Sequence, residues 1–205
     1  MPVTLHLQPF ELNPGLPTEG EAIAAYAARK YGVSAAELAE RQTLIRRRAR
    51  ELGMEFKLRT HVYNTFDAHR LLHWAGLHGR QLELKHALLR AYHEHGGNPA
   101  APEVLLDAAV EAGLDRWAAG DVLGRGTYAD DVRIAVRCWQ RLGIDGVPAT
   151  VIDGTQLISG AQPVVSPFYA GTRATADVLI AAAQLAGGSA AGALPFSDEV
   201  AYIQS

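Results

Sequence analysis

The sequence predicts an α/β fold in which a small β-sheet, built from strands at both ends of the chain, is split by a long all-helical insertion. Three observations predict it. Val3, Leu5 and Leu7 alternate with Thr4, His6 and Gln8, the period of two expected of a half-buried strand. From residue 64 to residue 143 the apolar spacing is almost wholly helical. Then comes Gly143-Ile144-Asp145-Gly146-Val147-Pro148-Ala149-Thr150-Val151-Ile152-Asp153-Gly154, whose β-branched run, Asp-Gly pair and continuation to Ser159 read as a hairpin. Pro148 has no N–H to give a ladder, so it belongs at a strand start or an exposed edge.

In chain order, Pro9 limits how far the first strand can pair centrally, and Phe10-Glu11-Leu12-Asn13-Pro14-Gly15-Leu16-Pro17 is a Pro-rich exit loop. Thr18-Glu19-Gly20-Glu21 has the form of a capping box, followed by Ile23, Tyr26 and Ala27 at helical spacing as far as Gly32. Ser34-Ala35-Ala36-Glu37 repeats the device for a helix carrying Leu38, Ile45, Ala49 and Leu52 on one face and stopping at Gly53. Met54, Phe56 and Leu58 alternate over too short a span to separate a strand from an extended linker. Asn64 is a natural N-cap for a helix over 65–75, with Asp67 in the first turn where the helix dipole favours negative charge. Residues 79–95 hold Leu82, Leu84, Leu88, Leu89 and Tyr92. Pro102 suits the first turn of a helix running to Gly113, a shorter helix spans 115–123, and Thr127 caps a last long one through Val132, Val136, Trp139 and Leu142. After the hairpin, residues 174–185 read as a terminal helix. The Gly-, Ala- and Ser-rich stretch from Gly187 reads as a loose tail, with Phe196, Val200, Tyr202 and Ile203 docking on a surface. The resulting division is a discontinuous sheet domain over 1–17 and 128–190, a helical insertion over 18–127, and a tail over 191–205.

Composition narrows the function. The 19 basic and 22 acidic residues leave a formal charge of -3, with a pI near 6.2, which offers no general attraction to nucleic acid or to an anionic membrane. No window approaches 18 uninterrupted apolar residues, and Met1-Pro2-Val3-Thr4 lacks the charged and apolar regions of a signal peptide. A soluble cytoplasmic protein is expected. Cys138 is the single cysteine, which excludes an intrachain disulfide and a Cys-based metal cluster.

Four segments, in this order and spacing, carry a resemblance: Phe10-Glu11-Leu12-Asn13-Pro14; Asn64-Thr65 with Ala68-His69-Arg70-Leu71; Gly113-Leu114-Asp115; and Gly143-Ile144-Asp145-Gly146-Val147-Pro148 with Ser159-Gly160-Ala161-Gln162-Pro163. Over nearly its whole length the chain resembles the DsbA-like thioredoxin family, in its cytoplasmic FrnE-type branch. The resemblance implies a thioredoxin-like domain with an inserted helical lid, a cis peptide before Pro148, and a substrate groove between the two. It also implies protein dithiol or disulfide substrates; no metal is expected, and glutathione is the one small cofactor left open.

The departure from the family pattern is equally specific. Such proteins begin with a strand, a Cys-x-x-Cys motif and a helix before the strand that starts here at Val3, and no Cys-x-x-Cys occurs in these 205 residues. The first β-α unit is therefore expected to be missing. A start downstream of the true one is favoured over a trimmed chain or a degenerate member. In the family's topology the missing strand lies between the strands at Val3 and Thr150, so unpaired sheet edges are expected, or a homodimer whose partner strand fills the gap. Dithiol exchange needs an activated thiolate and a second, resolving thiol, so the chain as it stands is expected to be inactive or nearly so.

Among individual residues, Val147, Pro148 and Ala149 are the leading substrate-binding candidates, because a strand start with free backbone groups can pair with an extended peptide or with glutathione. Asn64, His69 and Arg70 join them because the resemblance places their segment near the groove. The alternative for these three is that Asn64 caps, Arg70 pairs with a carboxylate and His69 is partly buried. Cys138 reads as a partly buried helical thiol, although flanking arginines at 133, 137 and 141 keep a reactive one open. His69 and His73 have the spacing of paired zinc ligands, but an ordinary polar helix face explains them better. His93 and His95 read as solvated groups at a helix end, and Arg46-Arg47-Arg48-Ala49-Arg50 as a solvated face.

Three functions follow: a FrnE-type thiol-disulfide oxidoreductase acting through a Cys-x-x-Cys outside these residues; a glutathione-dependent isomerase or transferase of the kappa or 2-hydroxychromene-2-carboxylate kind, which uses a serine at that position; and a non-catalytic peptide-binding or chaperone-like module.

Overall fold

The structure is a computed structural model and describes residues 4–152, 154, 156–160 and 199–204. In chain order its elements are β1 (Thr4–Pro9), β2 (Glu21–Ala22), α1 (Ile23–Tyr31), α2 (Ala35–Glu51), β3 (His61–Val62), α3 (Phe66–Leu77), α4 (Gln81–His93), α5 (Pro102–Glu111), α6 (Arg116–Gly124), α7 (Ala129–Arg141), β4 (Ala149–Ile152), β5 (Gln156–Ser159) and β6 (Glu199–Gln204). The chain divides into a helical unit, Asn13–Ala129, and a sheet unit made of Met1–Leu12 with Asp130–Ser205.

In the helical unit, Leu71, Ala75, Leu84, Ala87, Leu105, Ala109 and Ala119 of α3 to α6 are almost wholly removed from water. Leucines filling the space left by alanines on facing helices is how close packing is reached without voids. The capping box at Ser34 forms: the Ser34 hydroxyl accepts from the Glu37 N–H at 3.3 Å, and the Glu37 carboxylate accepts from the Ser34 N–H at 2.8 Å. Pro102 opens α5, and Asp115 caps α6 by accepting from the Ala118 N–H at 2.7 Å. The box expected at Thr18 does not form. Gly20, at φ +86°, turns the chain tightly against Tyr63, so that Glu21 and Ala22 pair with Val62 and His61 instead of opening a helix. Residues 54–60 are an extended linker, tied by the Lys57 N–H donating to the His93 carbonyl at 2.8 Å. Nor does Thr127 cap α7: Tyr128, at φ +62°, stands between it and the helix start, and the Tyr128 ring lies 5.0 Å from that of His73.

The sheet unit holds a four-stranded sheet in the order β1-β6-β4-β5. β1 runs antiparallel to β6, β6 parallel to β4, and β4 antiparallel to β5. Phe10, Ile144, Ala149 and Val151 form its buried core, with Leu12, Trp139 and Val147 packed around them. The hairpin turns at Gly154, φ +68°, where glycine carries no steric penalty.

Two expectations are corrected here. The stretch over 191–205 is not all tail, because Glu199–Gln204 forms strand β6. The position between β1 and β4, expected to stand empty or to be filled by a partner, is taken by that same strand. The physical reason is the cost of unpaired edges on both neighbours, about 1–3 kcal/mol for each buried group left unsatisfied. The terminal helix expected over 174–185 lies outside the described residues.

Candidate functional site

The site candidate in the sheet unit starts where α7 ends. Gly143, at φ +83°, terminates the helix with its N–H on the Gln140 carbonyl, and the Ile144 N–H returns to the Trp139 carbonyl at 3.1 Å. Ile144 is thereby buried beside Phe10, and the chain reaches β4 through Val147 and Pro148, joined by a cis peptide bond. The Pro148 carbonyl accepts from the Gly160 N–H at 2.8 Å. Ala149 is 2% exposed and stands between two ladders, opposite Ser159 on one side and Val200 on the other. Its side chain is core and its backbone flanked by strands, so it is no contact for a ligand. Val147 is half-buried, as are Gly146 and Pro148 beside it, and no hydrogen bond among the described residues reaches its N–H or its C=O. One donor and one acceptor on one residue is the pair that an adjoining antiparallel strand uses.

The model of the DSBA-like thioredoxin domain matches residues 2–166. The chain belongs to that family. This DsbA-like protein is also similar to the crystal structure of a probable DsbA oxidoreductase from Streptomyces coelicolor, at 30% identity and a TM-score of 0.67, the match covering 90% of this chain and 76% of that one. No curated protein matches it. The thioredoxin-like α/β fold and membership of a thiol oxidoreductase family thus stand on both sequence and structure.

The second set of candidates lies in the helical unit and has protein partners. The Asn64 side-chain oxygen accepts from the Phe66 N–H at 2.8 Å, and its amide donates to the Pro14 and Leu16 carbonyls at 3.3 and 3.1 Å. It therefore fastens the Pro-rich loop to the start of α3, which begins one residue later than expected. Arg70 is 4% exposed. Its guanidinium donates to the carbonyls of Thr127 at 2.8 Å, Leu123 at 3.3 Å and Val122, and to Asp67 at 2.6 Å. A cation on the last carbonyls of α6 is placed where the helix dipole favours it. His69 is also 4% exposed. For this trio the geometry supplies caps, a carboxylate pair and burial.

Other sequence expectations shift. Cys138 is exposed rather than partly buried. His93 is not a solvated end group: it is buried, stacked on Phe56 at 4.7 Å, and burial beside the Arg59 cation pushes its pKa down to about 3. Sequence reasoning missed Gly160 as a site residue. Its positive φ of +78° brings its N–H to the Pro148 carbonyl, and the signals that could have found it were a glycine directly after a strand and its place in the segment Ser159-Gly160-Ala161-Gln162-Pro163 that carries the resemblance. Among the described residues no helix is long and apolar enough to cross a membrane, and no group of His, Cys, Asp or Glu gathers as metal ligands.

Proposed function

We propose that this DsbA-family protein, of the FrnE-type branch, binds extended cysteine-containing polypeptide along the Val147-Pro148 edge, and that these 205 residues supply the binding half of a thiol-disulfide oxidoreductase without its redox chemistry. One observation carries the reading. At the corner entering β4, Pro148 and Ala149 have spent their backbone groups on the protein, whereas Val147 keeps a donor and an acceptor to exchange with one residue of a passing strand. Each such bond contributes about 0.5–1.5 kcal/mol net, so affinity depends on further contact along the chain. Glutathione, itself a short extended thiol peptide, pairs with Val147 in the same manner. A cytoplasmic setting goes with the FrnE assignment. Disulfide exchange needs two thiols, and one, Cys138, is present.

The test is the 205-residue chain assayed twice with insulin. Suppression of the aggregation of reduced insulin chains, with no insulin reduction above the uncatalysed rate, is the expected result. Reduction by the chain alone, or no suppression at all, contradicts the proposal. Replacing Val147 by proline, which removes its donor, is expected to lower suppression, and saturable quenching of tryptophan emission by glutathione reports the small-ligand case through Trp139, which packs in the same cluster as Val147.

A further inference from the structure

β6 joins the sheet across the long connection formed by residues 161–198 and enters between two strands that precede that connection. It runs antiparallel to β1 and parallel to β4, so β1 and β4 run opposite to one another. Any strand placed between them makes one antiparallel and one parallel ladder, whichever way it points. The backbone of this slot therefore does not read the polarity of its occupant, and side chains alone select it.

The walls state what kind of side chains. In the register, Leu5, Leu7, Thr150 and Ile152 fall on one face of the sheet, and His6, Gln8, Ala149 and Val151 on the other. Leu7 and Thr150 on the first face are buried, as are Ala149 and Val151 on the second. A strand covered on both faces needs a near-continuous apolar run rather than an alternating one. Glu199-Val200-Ala201-Tyr202-Ile203-Gln204 has that form: four apolar residues between two polar ones.

We infer that the space between β1 and β4 is a strand-acceptor site for an extended hexapeptide of this polar-apolar-polar kind. Glu199–Gln204 is its resident occupant, and a peptide supplied in trans replaces it. An empty slot exposes two strand edges, each a template for another chain, so the occupant leaves in exchange for another strand rather than for water. Pro9, opposite Glu199, has no N–H and ends the β1 ladder there, which makes the Glu199 end the natural place for displacement to begin. The inference does not rest on the peptide edge at Val147, whose backbone takes no part in the β6 ladders.

The experiment uses the full chain and a fluorescein-labelled peptide of the sequence of residues 199–204, together with a second peptide of the same residues in reverse order. In Ala201→Pro the resident strand loses a central ladder donor. Both peptides are expected to bind this variant about tenfold more tightly than the wild type, the factor that corresponds to about 1.4 kcal/mol. Failure of both peptides to bind a variant that keeps its helical circular dichroism overturns the inference. Binding of the forward peptide alone overturns its polarity-blind part. Hydrogen exchange on the unaltered chain decides the matter independently of whether the variant folds. Amides of β6 are expected to exchange about ten times faster than those of β4, and equal rates contradict an exchangeable occupant.

Discussion

In the helical unit each helix bonds its own backbone, and the core packs α3 on α4, α4 on α5 and α5 on α6, with α6 also returning to α3. In the sheet unit β1 bonds a strand from the opposite end of the chain, and β4 is held between that strand and its own hairpin partner. In the first unit even a buried arginine, Arg70, has its donors on three carbonyls and a carboxylate of that unit. The second depends on distant segments and leaves Val147 open at its corner. The contrast teaches where function can sit: residues that a unit needs for its own bonding are poor ligands, and the residue it does not need is the better one.

The sharpest way to break this comparison is Arg70→Ala. If Arg70 serves the helical unit, truncation strands buried carbonyls and costs about 3–5 kcal/mol in denaturant unfolding, while the capture of reduced insulin chains by the folded fraction is unchanged. A small stability effect together with lost capture returns Arg70 to the ligand set.

A second test concerns pH. His93 stays neutral in the fold down to about 3, whereas in the unfolded chain it takes a proton below about 6.5. Between those values the unfolded state binds the extra proton, so stability is fully present above pH 6.5 and is lost as the pH falls towards 3, by up to ~1.4 kcal/mol per pH unit. Stability curves of the wild type and His93→Phe, which keeps a ring against Phe56, are expected to diverge in that window and run parallel above it. Parallel curves throughout contradict the buried, neutral imidazole.

The smallest expected effect is at the α2 cap. Ser34→Ala should cost about 1 kcal/mol and speed amide exchange in the first turn of α2, leaving the sheet unit untouched. Faster exchange in β4 as well would show that the two units do not behave separately.

The same contrast explains what could be read from the sequence. Helices were legible because their signals are local: Ser34 with Glu37, Pro102 at a first turn and Asp115 before α6 each act within a few residues. The Val147-Pro148 corner and its hairpin were legible for the same reason. β6 was not, although Val200, Ala201, Tyr202 and Ile203 form a short β-prone run, because a strand's place is decided by a distant edge and the Gly-Ala-Ser stretch before it suggested a tail. Gly20 diverted the Thr18 box through Tyr63, a residue far along the chain. Burial of His93 against Phe56 likewise depends on a packing partner that helical periodicity does not reveal.

The central claim is that the chain's own C-terminal strand completes the sheet beside the Val147 corner. Its most direct test is disulfide trapping in a Cys138→Ser background, with Leu5→Cys paired with Ile203→Cys, and separately His6→Cys paired with Tyr202→Cys. Neighbouring antiparallel pairs alternate between hydrogen-bonded and non-hydrogen-bonded geometry, the second with the closer Cα atoms, so the two variants sample both kinds of pair. The account predicts that at least one pair closes within a single chain on mild oxidation, giving a monomer of raised mobility on a non-reducing gel. Free thiols in both variants, or bonds formed only between chains, would contradict it.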